Sequence, residues 1–157
     1  MHHTWTRGTD RITTDPAQID HAVVHGFLST CYWAQGIPRT IYERSVRGSI
    51  CFSVQVGGAQ AGFARVTSDR ATIAYVGDVF VLEASRGRGL SRWLMECVLA
   101  HPDLQDLRRW ILLTRDAHGL YAKFGFRPIA APDRWMDRWE KDLYARLAAQ
   151  QGPPPLA

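Results

Sequence analysis

Apolar side chains recur along this chain with two periods, and the switches between them mark out its elements. Residues 11–14 alternate as a short strand. Asp15 and Pro16 follow as an N-cap with proline at the first helical position. Ile19, Ala22, Val23 and Phe27 then recur at helical spacing, which predicts a helix over 16–30. Cys31 to Pro38 is an aromatic loop punctuated by Gly36 and Pro38, and a second short helix is expected at 39–46. Segments 49–56 and 60–68 flank Gly57-Gly58, a hairpin signal. The stretch 71–82 is almost continuously apolar at its end (Val79, Phe80, Val81, Leu82), as in a central strand buried on both faces. Leu90, Trp93, Leu94, Cys97 and Val98 repeat at i, i+3, i+4, i+7 and i+8, so a core-facing helix is expected up to His101-Pro102.

The rest of the chain continues the alternation. Residues 109–114 form an apolar strand, 118–124 a short helix stopped by Gly125, and 127–129 a last short strand. Trp135, Trp139, Leu143 and Leu147 lie four apart, predicting an extra helix over 135–150. Its stripe packs on the domain or else makes a homodimer contact. Residues 151–157 are expected to be a flexible tail. The resulting order βααβββαβαβ, then a helix, predicts an α/β (α+β) architecture. The connection from strand 75–82 through helix 89–100 to strand 109–114 should be a right-handed parallel unit.

Length adds that 157 residues fit one domain, 1–157, with a core at about 10–136. At 46% hydrophobic and 22% charged, the composition excludes disorder over most of the chain. Cys31, Cys51 and Cys97 have no Cys-x-x-Cys spacing, which argues against a disulfide framework or a zinc site, and no metal is expected. No leader-like start and no long apolar run is seen, so a cytoplasmic protein without membrane association is expected.

Charge changes the picture more. Residues 86–127 carry eight basic side chains (Arg86, Arg88, Arg92, Arg108, Arg109, Arg115, Lys123, Arg127) against four acidic ones (Glu96, Asp103, Asp106, Asp116). That difference equals the whole net charge of +4. An anionic ligand there, or simply a solvated arginine-rich face, would account for it. No motif that reads DNA or RNA is present, so no nucleic-acid partner is expected.

Within that basic stretch, the apolar strand runs into Arg86-Gly87-Arg88-Gly89-Leu90-Ser91, and a helix begins at once. A helix start exposes N–H groups and the positive end of its dipole, and glycines let phosphate oxygens come close. The turn contains neither a GxxxxGK[ST] phosphate loop nor a dinucleotide GxGxxG. On its own it would equally serve as a plain strand-to-helix connection.

The turn resembles the (Q/R)-x-x-G-x-(G/A) acetyl-CoA motif of the GNAT superfamily of N-acetyltransferases. Leu120-Tyr121-Ala122-Lys123-Phe124-Gly125-Phe126 is similar to that family's LYxKxGF signature, and the resemblance covers about residues 10–130. Two positions depart from the pattern: Ser91 replaces Gly or Ala, and Thr114 replaces a frequent Asn. The resemblance implies a central mixed, mostly antiparallel sheet with a parallel splayed strand pair, flanked by helices. It implies acetyl-CoA as co-substrate and transfer of its acetyl group to a primary amine of a small molecule or peptide, by direct attack in a ternary complex.

By residue, the resemblance implies that coenzyme A contacts the main chain at Phe80, Val81 and Leu82 and the turn Arg86, Gly87, Arg88, Gly89, Leu90 and Ser91. It implies a bulge in strand 75–82, with Gly77 a candidate position, and Tyr121 as general acid to the thiolate. Asp78 stands in an otherwise apolar strand. It is the candidate base or amine-orienting group, with Glu83 the alternative and a structural ion pair with Arg65 the competing reading. His118 lies one helical turn before Tyr121 and is placed to tune it. On the acceptor side the loop carrying Tyr32 and Trp33 would line the pocket or staple the loop to the core. A non-catalytic acyl-CoA-binding or regulatory module is the alternative function.

Overall fold

The computed structural model describes residues 1–150, so the tail expected at 151–157 lies outside the described residues. Six strands form one sheet in the order in which they occur: β1 (Thr4–Arg7), β2 (Asp10–Thr13), β3 (Ile50–Val56), β4 (Ala59–Ser68), β5 (Ile73–Val81) and β6 (Arg109–Leu112). All neighbours are antiparallel except β5 and β6, which are parallel. The helices are α1 (His21–Leu28), α2 (Arg39–Arg47), α3 (Leu90–Leu99), α4 (His118–Ala122) and α5 (Leu143–Gln150). This is the mixed α/β sheet with a parallel pair that the sequence implied.

Strand alternation sorts the core onto two faces. One side carries Ile12, Phe52, Val54, Ala64, Val66, Ala74 and Val76, which pack with Leu94, Met95 and Val98 of α3. The other carries Cys51, Phe63 and Phe80, which pack with Val24 and Leu28 of α1 and Tyr42 and Val46 of α2. Phe52 and Phe63 are fully buried on opposite faces. The β3–β4 hairpin turns at Gly57 and Gly58 with φ of 56° and 86°, a pair of positive values that favours glycine at both positions.

Several elements differ from expectation, each for a local reason. Strand β1 was not foreseen: Thr4-Trp5-Thr6-Arg7 pairs with β2 through a turn at Gly8, and Trp5 stacks on Phe52, so the sheet begins before residue 10. The helix expected over 16–30 is split. Asp15 caps only a 3-10 turn at Pro16–Gln18, and Asp20 restarts the chain as α1 by accepting from the amides of Ala22 and Val23. The strand expected at 127–129 does not form, and Pro128 has no N–H to give a ladder.

The helix expected over 135–150 begins only at Leu143. A 3-10 turn at Pro132–Arg134 ends with Trp135 in extended backbone (φ −104°, ψ 138°), so Trp135 and Trp139 are not on a common helical face with Leu143. Instead the Arg109 guanidinium stands 5.0 Å from the Trp135 ring centroid, and Trp139 is largely exposed. Nor is β5 buried on both faces: Ile73 and Tyr75 remain 38% and 36% exposed and belong to neither core cluster.

Candidate functional site

Two local events in β5 create the site. Its pairing with β6 runs from Ile73↔Arg109 to Val76↔Leu112 and ends there, while β5 itself continues to Val81. From Gly77 onward that edge has no strand beside it among the described residues. Against β4, Phe80 pairs with Phe63 and Gly77 with Arg65, so Asp78 and Val79 together oppose the single Ala64. This is a β-bulge. The residue that takes the left-handed conformation is Asp78 (φ 54°), not the neighbouring Gly77. A short polar side chain tolerates that region better than most. Beyond the bulge, opposite Val81, Gly62 leaves room that no other residue would: a Cβ there would lie 2.6 Å from the Phe80 carbonyl oxygen. The sequence offered that glycine as a signal, and it was missed.

The glycine turn follows directly. Leu82 still donates to the Ala61 carbonyl, a 3-10 turn spans Glu83–Ser85, and Gly87 and Gly89 adopt φ of 76° and 73° before α3 starts at Leu90. The amides of residues 87–92 donate to no protein acceptor among the described residues, whereas the Trp93 amide returns to the Gly89 carbonyl. The three arginines are engaged elsewhere. Arg86 Nε donates to the Val81 carbonyl at 3.2 Å, Arg88 to Asp10 Oδ2 at 2.9 Å, and Arg92 to Glu96 Oε1 at 3.1 Å. The donors left free in the turn are therefore the backbone amides at the start of α3, where the helix dipole is positive.

Tyr121 on α4 is buried in the α3-side core and meets Phe126 edge-on. Its hydroxyl has no protein hydrogen-bond partner among the described residues. Burial, and then the nearby Tyr32, Asp116 and Tyr75, push its pKa up to about 12. His118 is exposed on α4. The Thr114 hydroxyl accepts from the Ala117 amide at 3.0 Å and so shapes the turn into α4.

Asp78 is held on both oxygens. Arg65 Nε donates to Oδ2 at 2.6 Å, and the Trp33 indole N–H donates to Oδ1 at 3.3 Å. The structural ion pair with Arg65 is thus present. Glu83 is exposed in the 3-10 turn. Burial, and then the Asp78 carboxylate, raise the pKa values of both Tyr75 and Tyr144, so α5 brings Tyr144 to the same neighbourhood. Burial likewise pushes the Cys31 thiol up to about 11.

The loop between α1 and α2 is pinned from within. Ala34 and Ile37 are buried, and the Gly36 amide donates back to the Ser29 carbonyl. Tyr32 is stapled to the segment that follows β6: its hydroxyl accepts from the Arg115 amide at 3.2 Å, and the Arg115 guanidinium lies 3.9 Å from its ring centroid. Its ring has therefore already taken a cation on one face. A separate cavity of about 670 Å³, lined by His21, Glu43, Arg47, His101 and others, contains none of these residues.

Residues 47–128 match the family described as acetyltransferase (GNAT) domain. The chain belongs to the GNAT acetyltransferase family. It is 31% identical over 142 residues to a candidate acetyltransferase of Gibberella zeae, covering 76% of this chain and 79% of that one. The crystal structure of a candidate GNAT acetyltransferase from Xanthomonas campestris pv. campestris is 49% identical. It superposes with a TM-score of 0.84 over 87% of this chain and 96% of that one. A Clostridium acetobutylicum protein solved with acetyl-CoA is 12% identical and shares the fold, with a TM-score of 0.60 over 88% of this chain and 96% of that one.

Proposed function

We propose that this GNAT protein is an enzyme that transfers the acetyl group of acetyl-CoA to a primary amine by direct attack. The observation that carries this reading is that β5 leaves its edge unpaired beyond Val76 and runs into a turn with free amides at residues 87–92, while the Tyr121 phenol lies near Tyr75 of the same strand and Tyr32 of the loop that reaches Asp78. The pantetheine arm would pair along Phe80–Leu82, and the pyrophosphate would rest on Arg86 to Ser91. The amine nitrogen attacks the thioester carbonyl, a C–N bond forms and the C–S bond breaks. Of the two protons the ammonium gives up, one goes to solvent and one is matched at sulfur by Tyr121, which water then reprotonates. A phenol held near a pKa of 12 is protonated at neutral pH, as a general acid must be. Asp78, with donors on both oxygens, acts as the group that orients the amine.

The test is free-thiol release from acetyl-CoA with a panel of amines, alongside a direct CoA titration. Amine-dependent thiol release is the expected result. CoA binding without turnover by any amine would favour a non-catalytic acyl-CoA-binding module.

A further inference from the structure

The charge balance beside the bulge narrows the acceptor, given the acetyltransferase reading above. Asp78 is the carboxylate next to the point where acetyl transfer would occur, and it is not free: Arg65 sits on one oxygen at 2.6 Å, with both side chains mostly buried (19% and 12% exposed). A simple cationic amine entering here would meet a carboxylate whose charge is already cancelled. It would add an unmatched positive charge beside a guanidinium, in a place that water reaches poorly.

Arg65, by contrast, has capacity left. Its Nη1 donates to the neutral hydroxyls of Ser49 and Thr67 at 3.3 and 3.1 Å, and its Nη2 has no acceptor among the described residues. That nitrogen lies beside Gly77, 3.7 Å from where a Cβ would stand, and the Tyr75 ring edge, 3.1 Å from the same point, packs next to it. A second guanidinium, that of Arg115, stands over Tyr32 at the rim. Its partner Asp116 is 4.0 Å away and both are well exposed. The site thus offers a guanidinium nitrogen without an acceptor among the described residues next to a carboxylate that can still accept a further donor, since each oxygen has two lone pairs.

We infer that the acceptor is a zwitterion, an amino acid whose ammonium meets Asp78 and whose carboxylate meets Arg65. The incoming dipole then lies head-to-tail against the Arg65–Asp78 pair and no net charge is buried. Polyamines and peptide N-termini lack that adjacent carboxylate. The reaction is the α-amine taking the acetyl group as the C–S bond breaks, one proton going to sulfur and one to solvent, which yields an N-acetyl amino acid and CoA.

The test is wild-type kcat/KM, from thiol release, for common L-amino acids, each beside its decarboxylated amine and its amide; L-leucine with 3-methylbutylamine and L-phenylalanine with 2-phenylethylamine are the first pairs. The inference expects the amino acid to exceed both partners by about tenfold or more, the factor that corresponds to leaving one buried polar group without its partner. It also expects Arg65→Met to reverse the order toward the decarboxylated amine, because Asp78 is then uncompensated, while Arg65→Lys keeps the amino-acid preference in weakened form. Equal or better use of the decarboxylated amines by the wild-type protein overturns the inference and leaves the acetyltransferase reading intact. CoA binding with no thiol release from any compound overturns that reading itself. The wild-type comparison decides the matter even if Arg65→Met does not fold.

Discussion

Arg88 in the glycine turn donates to Asp10 Oδ2 at 2.9 Å, tying the start of α3 to the head of β2, 78 residues earlier in the chain. The same hairpin grips α3 further along: Arg7 of β1 pairs with Glu96 at 2.7 Å and lies 4.7 Å from the Trp93 ring centroid. Asp10 Oδ1 is buried with no partner, so the carboxylate is held in place by the contact on its other oxygen. Replacing Asp10 with Asn keeps the shape and removes the charge that fixes Arg88. The expected result is a KM for acetyl-CoA raised about threefold, the scale of a half-exposed ion pair, with kcat nearly unchanged; steady-state kinetics at varied acetyl-CoA checks it.

Tyr121→Phe removes the hydroxyl and keeps the ring that packs against Phe126. A drop in kcat of about 100-fold is expected, with CoA affinity within about twofold of wild type. Because burial holds this phenol near a pKa of 12, the wild-type pH profile should show no loss traceable to Tyr121 below about pH 11. Unchanged turnover in the phenylalanine variant would remove Tyr121 from the mechanism.

Gly89 precedes α3 at φ 73°, a region that costs an ordinary residue about 1 kcal/mol. Gly89→Ala should lower stability by about that amount in chemical denaturation. It should also weaken CoA binding in a titration, since relief of the strain turns the neighbouring amides away.

Stability should fall on the alkaline side. Burial pushes Cys51, Cys97 and Tyr121 up to about 12 each and raises Tyr42 further. In the unfolded chain cysteine ionises at about 8.5 and tyrosine at about 10. The unfolded state therefore releases protons first. The stabilisation is fully present below about pH 8.5 and is lost as pH rises toward 12. Thermal melts from pH 7 to 11 should show a Tm that holds and then declines above about pH 9.

Much of this protein was legible in its sequence because the relevant physics is local. The two-residue glycine hairpin, the i, i+3, i+4 stripe of α3 and Gly125 with its positive φ at the end of α4 depend on neighbours within a few residues. Arg86 to Ser91 and Leu120 to Phe126 likewise lie in continuous segments, which is why the family could be named from them. The misreadings arose where two signals competed. Asp15 and Asp20 both cap, so one apolar period spanned two turns of chain, and Trp135 and Trp139 kept a helical spacing over backbone that a proline turn had made extended.

What the tertiary structure alone decided was partnership. Nothing local assigns Arg88 to Asp10 or Arg65 to Asp78, and nothing in 75–82 distinguishes Asp78 from Gly77 as the bulged residue. The bulge lies where β4 and β5 change register across Ala64, and the free β5 edge exists because β6 leaves β5 after Val76. Those are relations between strands. A strand's own sequence specifies which face it buries, but the strand beside it decides where their pairing ends.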